Sequence, residues 1–165
     1  MAQVSTAIPP LSGFVAPYPQ DVAIDDRTLR AQPAAMSTGP IPPFTGRCRC
    51  GSVSYLCEAA PIWQSHCHCE SCRRATGGLF GSYVGVKDGT WRWTGELPAV
   101  YQPGGGVERS FCLICGSPIS YRSAEFPGEM HFLAGSLTDP AAFAPTHQSF
   151  PEEAMAWLPL NALLR

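Results

Sequence analysis

The sequence predicts a mainly β domain of short antiparallel strands tied together by bound metal. Three observations predict it. Short runs of β-branched and aromatic residues recur through residues 45–165, divided by Gly, Pro and Asp. Gly 16 and Pro 17 together make up about a fifth of the 165 residues, which favours turns over long helices. Eight cysteines are present, and seven of them fall into three tight clusters.

Residues 1–44 stand apart from this pattern. They are rich in Pro, Ala and Ser, hold no cysteine and show no sustained period of 2 or 3.6. A flexible or loosely docked arm is expected, with "DVAIDDRTLRA" giving a helical turn that Pro33 stops. Met36 is a second candidate start, which would leave residues 1–35 outside the translated protein.

From Thr45 onward the elements follow in order. "SVSYLCEA" alternates, placing Val53, Tyr55 and Cys57 on one face. "LFGSYVGV" and "TWRWTG" are the next strands, with Lys87-Asp88-Gly89 between them read as a hairpin turn. Trp91 and Trp93 share a face, as core or as an exposed patch. "AVYQP" leads to a break at Pro103 and Gly104-Gly105-Gly106, expected as a mobile loop. "VERSFC", "SPISYRS" and "EMHFLAG" are further strands. "DPAAF" and "PEEAMAWLPL" predict short helical turns near the C-terminus. Residues 45–165 therefore read as one domain.

Charge excludes some function classes. A formal net charge of -2, from 11 basic and 13 acidic residues, gives no pull toward nucleic acid or anionic membrane. No stretch of 18 apolar residues exists to span a bilayer. The N-terminus has neither a basic start nor a continuous apolar run, so no secretory signal is expected. A cytoplasmic setting follows, where thiols stay reduced and clustered cysteines point to metal rather than disulfides.

The clusters are Cys48-x-Cys50, Cys67-x-Cys69-x-x-Cys72 and Cys112-x-x-Cys115. In C-x-C, residues i and i+2 of an extended chain point the same way, so both sulfurs reach one ion. In C-x-x-C, a tight turn brings two sulfurs to one metal at a Zn–S distance of ~2.3 Å. Gly51 and Gly116 follow two clusters, where the chain needs positive φ to leave the turn. Cys48, Cys50, Cys112 and Cys115 make a closed four-sulfur set that would tie the first strand to later ones through Zn²⁺.

Cys67, Cys69 and Cys72 remain, three ligands with a fourth position open to water, as in a catalytic zinc site. Closure by a histidine or by Cys57, or no second metal, are the alternatives. His66 and His68 project opposite to Cys67 and Cys69 on an extended chain, and Cys57 reads as a buried small hydrophobe. Three thiolates around Zn²⁺ leave net negative charge, which suits a soft fourth ligand such as a substrate thiol. Arg73 and Arg74 either neutralise that charge and hold substrate carboxylates or face solvent, and Arg109 is open to the same two readings.

"GRCRCGSVSY", "HCHCESCRRATGG" and "RSFCLICGSPISY", followed by "LAGSLTDP" and a late Trp, resemble the glutathione-dependent formaldehyde-activating enzyme family, also grouped with centromere protein V. The likeness covers residues 45–158 and leaves out residues 1–44. It implies an Mss4-like fold, a tent of antiparallel sheets, with one structural zinc on the four-cysteine set. It also implies a second, catalytic-type zinc on Cys67, Cys69 and Cys72. The implied activity is condensation of formaldehyde with glutathione to S-(hydroxymethyl)glutathione, a carbon–sulfur lyase reaction. On this reading glutathione or another small thiol takes the open position and adds to an aldehyde. Arg73, Arg74 or Arg109 hold its carboxylates, backbone N–H groups of Gly77-Gly78 donate to anionic oxygens, and His68 is a possible proton donor. His131 and His147, far from the motifs, receive no role. Two other readings differ in kind. One is a methionine-sulfoxide-reductase-like enzyme, which would need Cys57 as its nucleophile. The other is a non-catalytic two-zinc module that contacts a protein partner.

Overall fold

A computed structural model describes residues 39–159. Met36 and most of the expected N-terminal arm lie outside the described residues. The chain enters at β1 (Phe44–Arg47), followed by β2 (Ser54–Cys57), β3 (Trp63–Cys67) and one short helix, α1 (Glu70–Thr76). Then come β4 (Gly81–Lys87), β5 (Trp91–Trp93), β6 (Ala99–Gly104), β7 (Val107–Phe111), β8 (Pro118–Ser123), β9 (Glu129–Leu133) and β10 (His147–Ser149). One sheet has the order β1-β2-β5; the other has the order β10-β3-β4-β9-β8-β7-β6. The mainly β class expected from the short alternating runs is what the structure shows.

The two sheets enclose the core. Val53, Tyr55 and Cys57 are buried on one face, as the alternation predicts. Tyr55 stacks on Phe132 of the larger sheet with ring centroids 3.7 Å apart, and its hydroxyl meets Ser136 Oγ at 2.9 Å. Trp91 and Trp93 pack edge-on against the same Phe132 at 5.2 and 5.8 Å. They are half-buried and pack against the core. Phe132 is fully buried at the centre of this ring cluster. Phe132→Ala is expected to cost about 3–5 kcal/mol of unfolding free energy, measured by denaturant titration.

Three expectations need correction. Lys87-Asp88-Gly89 is a turn, closed by Thr90 N–H donating to Lys87 O, but it is no hairpin. It carries the chain from one sheet to the other, because β5 pairs with β2 and its tryptophans must face the core. Gly104-Gly105-Gly106, expected as a mobile loop, is the tight turn of a β6–β7 hairpin, with all three glycines at positive φ. β10 pairs parallel with β3, so the larger sheet is not wholly antiparallel. "DPAAF" and "PEEAMAWLPL" each give the expected short helical turn, both 3-10, at Pro140–Ala142 and Pro151–Glu153.

Among the described residues no helix is long and apolar enough to cross a membrane.

Candidate metal centres and the adjoining cleft

The four-sulfur set assembles as its spacing predicts. Cys48 and Cys50 follow β1, and Cys112 and Cys115 follow β7, so the set joins the smaller sheet to the larger one. The four sulfurs lie within 4.8 Å of one another, with Cys48–Cys50 at 3.4 Å and Cys50–Cys112 at 3.7 Å. A tetrahedral zinc with Zn–S of ~2.3 Å needs S–S edges of about 3.8 Å, so the spacing is consistent with a zinc site. Gly51 and Gly116 take φ of 82° and 71°. Their N–H groups turn back to Cys48 O and Cys112 O, and Val53 N–H donates to Cys48 Sγ. Ser117 holds the Cys115 thiol down to about 5 by hydrogen bonding.

Cys67, Cys69 and Cys72 form a second group within 4.8 Å, also consistent with zinc. Cys67 ends β3, Cys69 caps the N-terminus of α1, and Cys72 is buried in its first turn. The helix was not legible in the motif: it spans seven residues and starts on a cysteine instead of a usual Ser, Thr, Asp or Asn cap. Cys69 Sγ accepts from Cys72 N–H at 3.4 Å. The Tyr83 hydroxyl donates to Cys72 Sγ at 3.4 Å. Cys72 is held down to about 5 by hydrogen bonding from Cys67, then by Tyr83, Cys69 and the Arg109 charge. Cys67 is pushed up by the adjoining Cys72 and Cys69 by burial. The protein alone thus favours one thiolate of the three, and a bound cation is what would let all three ionise. Thiolate donors at this spacing suit zinc.

A cleft of about 540 Å³ opens over these three sulfurs. Strand register explains its walls. Trp63 lies opposite Gly85, Gly85 opposite His131, His131 opposite Tyr121, and Tyr121 opposite Arg109. Residues in register share a face, so one row crossing five strands lines the cleft. Gly85 is required in it: a Cβ there would lie 2.2 Å from the Trp63 indole. The indole and His131 rings meet edge-on at 4.5 Å, and Arg109 lies over the Tyr121 ring at 4.8 Å. Glu129 Oε2 accepts from Trp63 Nε1 at 2.9 Å and pairs with His131 Nε2 at 3.0 Å. Burial lowers the His131 pKa against the pull of Glu129, so its imidazole is neutral at neutral pH.

The expected site residues divide sharply. Arg109 lines the cleft and donates to Ser71 Oγ at 3.0 Å. Arg73 points elsewhere, donating to the carbonyls of His68 and Glu153. Arg74 is exposed and pairs with Glu70 one turn earlier. The Gly77 N–H caps α1 by donating to Arg73 O, and the Gly78 N–H donates to Thr76 Oγ1, so both are already engaged. Arg74 and Gly77 line a neighbouring cavity of about 660 Å³, which shares Ser71, Tyr83 and Arg109 with the cleft. His66 and His68 do lie away from the sulfurs: His66 Nδ1 meets Ser82 Oγ, and His68 Nε2 meets Gln148 Oε1. The histidines in the cleft are His131 and His147, which the sequence reading passed over. Cys57 is fully buried, and burial raises its thiol to about 12, which removes it as a nucleophile. No disulfide joins any of the eight cysteines.

Comparison with known families decides the membership. The family model described as glutathione-dependent formaldehyde-activating enzyme matches residues 43–153. The chain belongs to this family. The glutathione-dependent formaldehyde-activating match spans the strands that carry both cysteine sets and the cleft. A crystal structure of a Rhodobacter sphaeroides protein is similar at 22% identity and a TM-score of 0.53. It covers 64% of this chain and 99% of that one, a likeness of fold. A comparison with curated proteins gives no match.

Proposed function

We propose that the protein is a zinc-dependent carbon–sulfur lyase-type enzyme that adds glutathione or a similar thiol to a small aldehyde such as formaldehyde. The observation that carries this reading is the three-sulfur cluster, which opens on a cleft and, among the described residues, has no fourth protein ligand beside it. Family membership points to the same chemistry, and a cytoplasmic setting would keep the cluster reduced. Cys48, Cys50, Cys112 and Cys115 would hold the structural zinc.

A zinc ion held by Cys67, Cys69 and Cys72 would supply an acceptor position for the substrate sulfur and favour its thiolate form. The protein's own residues then do the rest. Arg109 takes a substrate carboxylate at the wall of the cleft. His131, neutral and oriented by Glu129, accepts the proton that the thiol loses. The sulfur forms the new bond to the aldehyde carbon, the C=O pair moves to oxygen, and His131 returns the proton there. Trp63 and Tyr121 give the cleft apolar ring walls beside the sulfurs.

Exchange NMR on mixtures of glutathione and formaldehyde tests the activity. Catalytic amounts of zinc-loaded protein should speed interconversion of thiol and S-hydroxymethyl adduct, and an unchanged exchange rate would sink the reading. Arg109→Gln should weaken glutathione binding about 10–100-fold, the value of one charge-assisted hydrogen bond. Arg74→Gln, whose partner is Glu70, should change it less than about twofold.

A further inference from the structure

We infer that Tyr83 is a positioning residue of the site. Its hydroxyl relays hydrogen bonds from Arg109 to the Cys72 sulfur, so the carboxylate-holding end and the metal end act as one unit. The inference rests on the thiol reading above and gives this residue a part in it. Tyr83 lies on β4 and is only 4% exposed, yet it lines both the cleft and the neighbouring cavity.

Gly81 explains how the ring gets there. It precedes Tyr83 by two residues on the same face of β4 and stands opposite Cys67 of β3. A Cβ at Gly81 would lie 2.5 Å from Tyr83 Cε2 and 2.9 Å from the hydroxyl oxygen. The phenol therefore lies along its own strand, over bare backbone, and only glycine leaves it that room.

The polarity of the contacts sets the direction of the relay. The hydroxyl donates its one proton to Cys72 Sγ at 3.4 Å. Arg109 hydrogen-bonds the same hydroxyl, and a guanidinium has donors only, so the Tyr83 oxygen accepts there. The order is Arg109 N–H to Tyr83 O–H to Cys72 Sγ, each donor polarised by the one before it. Arg109 is held in place by Ser71 Oγ at 3.0 Å and by the Tyr121 ring at 4.8 Å. Ser71 directly precedes Cys72 on α1, so the helix anchors both ends.

The consequence follows from charge. Three thiolates around Zn²⁺ leave net negative charge, and a substrate thiolate adds to it. A hydrogen bond to a ligand sulfur draws electron density from it, which eases entry of that further anion. The same hydroxyl fixes the guanidinium that would hold the substrate carboxylate.

Cobalt(II) in place of zinc, on the full chain, makes the metal–sulfur bonds visible as charge-transfer bands. Tyr83→Phe keeps the ring over Gly81 and removes only the hydroxyl. It should hold two cobalts per chain, with the bands of the three-sulfur cluster moved to longer wavelength. Arg109→Gln should move them the same way by less. Calorimetry on the zinc-loaded proteins should show glutathione bound about tenfold more weakly by Tyr83→Phe. The loss in the double variant should fall short of the product of the two single losses. Unmoved bands in Tyr83→Phe, or losses that multiply in full, overturn the relay and leave the thiol reading standing. Should Tyr83→Phe lose the second metal, unmoved bands in Arg109→Gln overturn it instead. If glutathione fails to bind the wild-type protein, the thiol reading falls, and the cobalt bands alone decide whether Tyr83 acts on Cys72.

Discussion

Cys112→Ser is expected to leave the domain unfolded at 25 °C, with loss of the metal held by the four-sulfur set. Cys112 is buried, and its sulfur packs in the core beside residues of both sheets. A serine there offers a poorer metal ligand and a buried hydroxyl in place of a soft, apolar sulfur. Structural zinc in small domains contributes roughly 10–16 kcal/mol of folding free energy, as large as the whole stability of a domain at about 5–15 kcal/mol. Circular dichroism with zinc analysis measures it. A folded Cys112→Ser protein with an unchanged melting temperature would show that the four-sulfur set is not what joins the sheets.

Cys69→Ser should have the opposite character: the fold stays and the chemistry goes. Cys69 is half-exposed at the cleft floor and serves as the N-cap of α1. Serine is a better N-cap than cysteine, so the helix keeps its start and stability shifts by no more than about 1 kcal/mol. A zinc at the three-sulfur cluster would lose one of its three protein ligands. The protein should bind one zinc instead of two, and thiol exchange should fall by at least about 100-fold. Retention of both zincs and of full exchange would remove the three-sulfur cluster from the mechanism.

What the sequence disclosed and what it hid divide along range. The pairs Cys48-Cys50 and Cys112-Cys115 and the triad Cys67-Cys69-Cys72 were legible because C-x-C and C-x-x-C place sulfurs by local geometry, and the two pairs together make the four ligands of a closed zinc site. The same holds for Val53, Tyr55 and Cys57, which alternation puts on the core face. The cleft was not legible. Its wall depends on the register of β3, β4, β9, β8 and β7, which brings Trp63 to His131 and Tyr121 to Arg109 across long stretches of chain. His147 and Phe150 arrive through the parallel pairing of β10 with β3, which no short pattern announces. Arg73 and Arg74 were placed near the site by adjacency, but the helical turn after Cys72 sends one to backbone carbonyls and the other to Glu70. Gly77, expected to donate to anionic oxygens, is instead the left-handed cap of α1, and its N–H donates to Arg73 O.

The central claim is that the three-sulfur cluster accepts a sulfur from outside the protein. Zinc K-edge absorption on the protein loaded with two zincs reads this directly. Sets of four and three cysteine sulfurs give an average near 3.5 sulfurs per zinc. Saturating thiol should raise that average to about 4 and shorten the list of light-atom neighbours to none. An average that stays near 3.5 with thiol present contradicts the account.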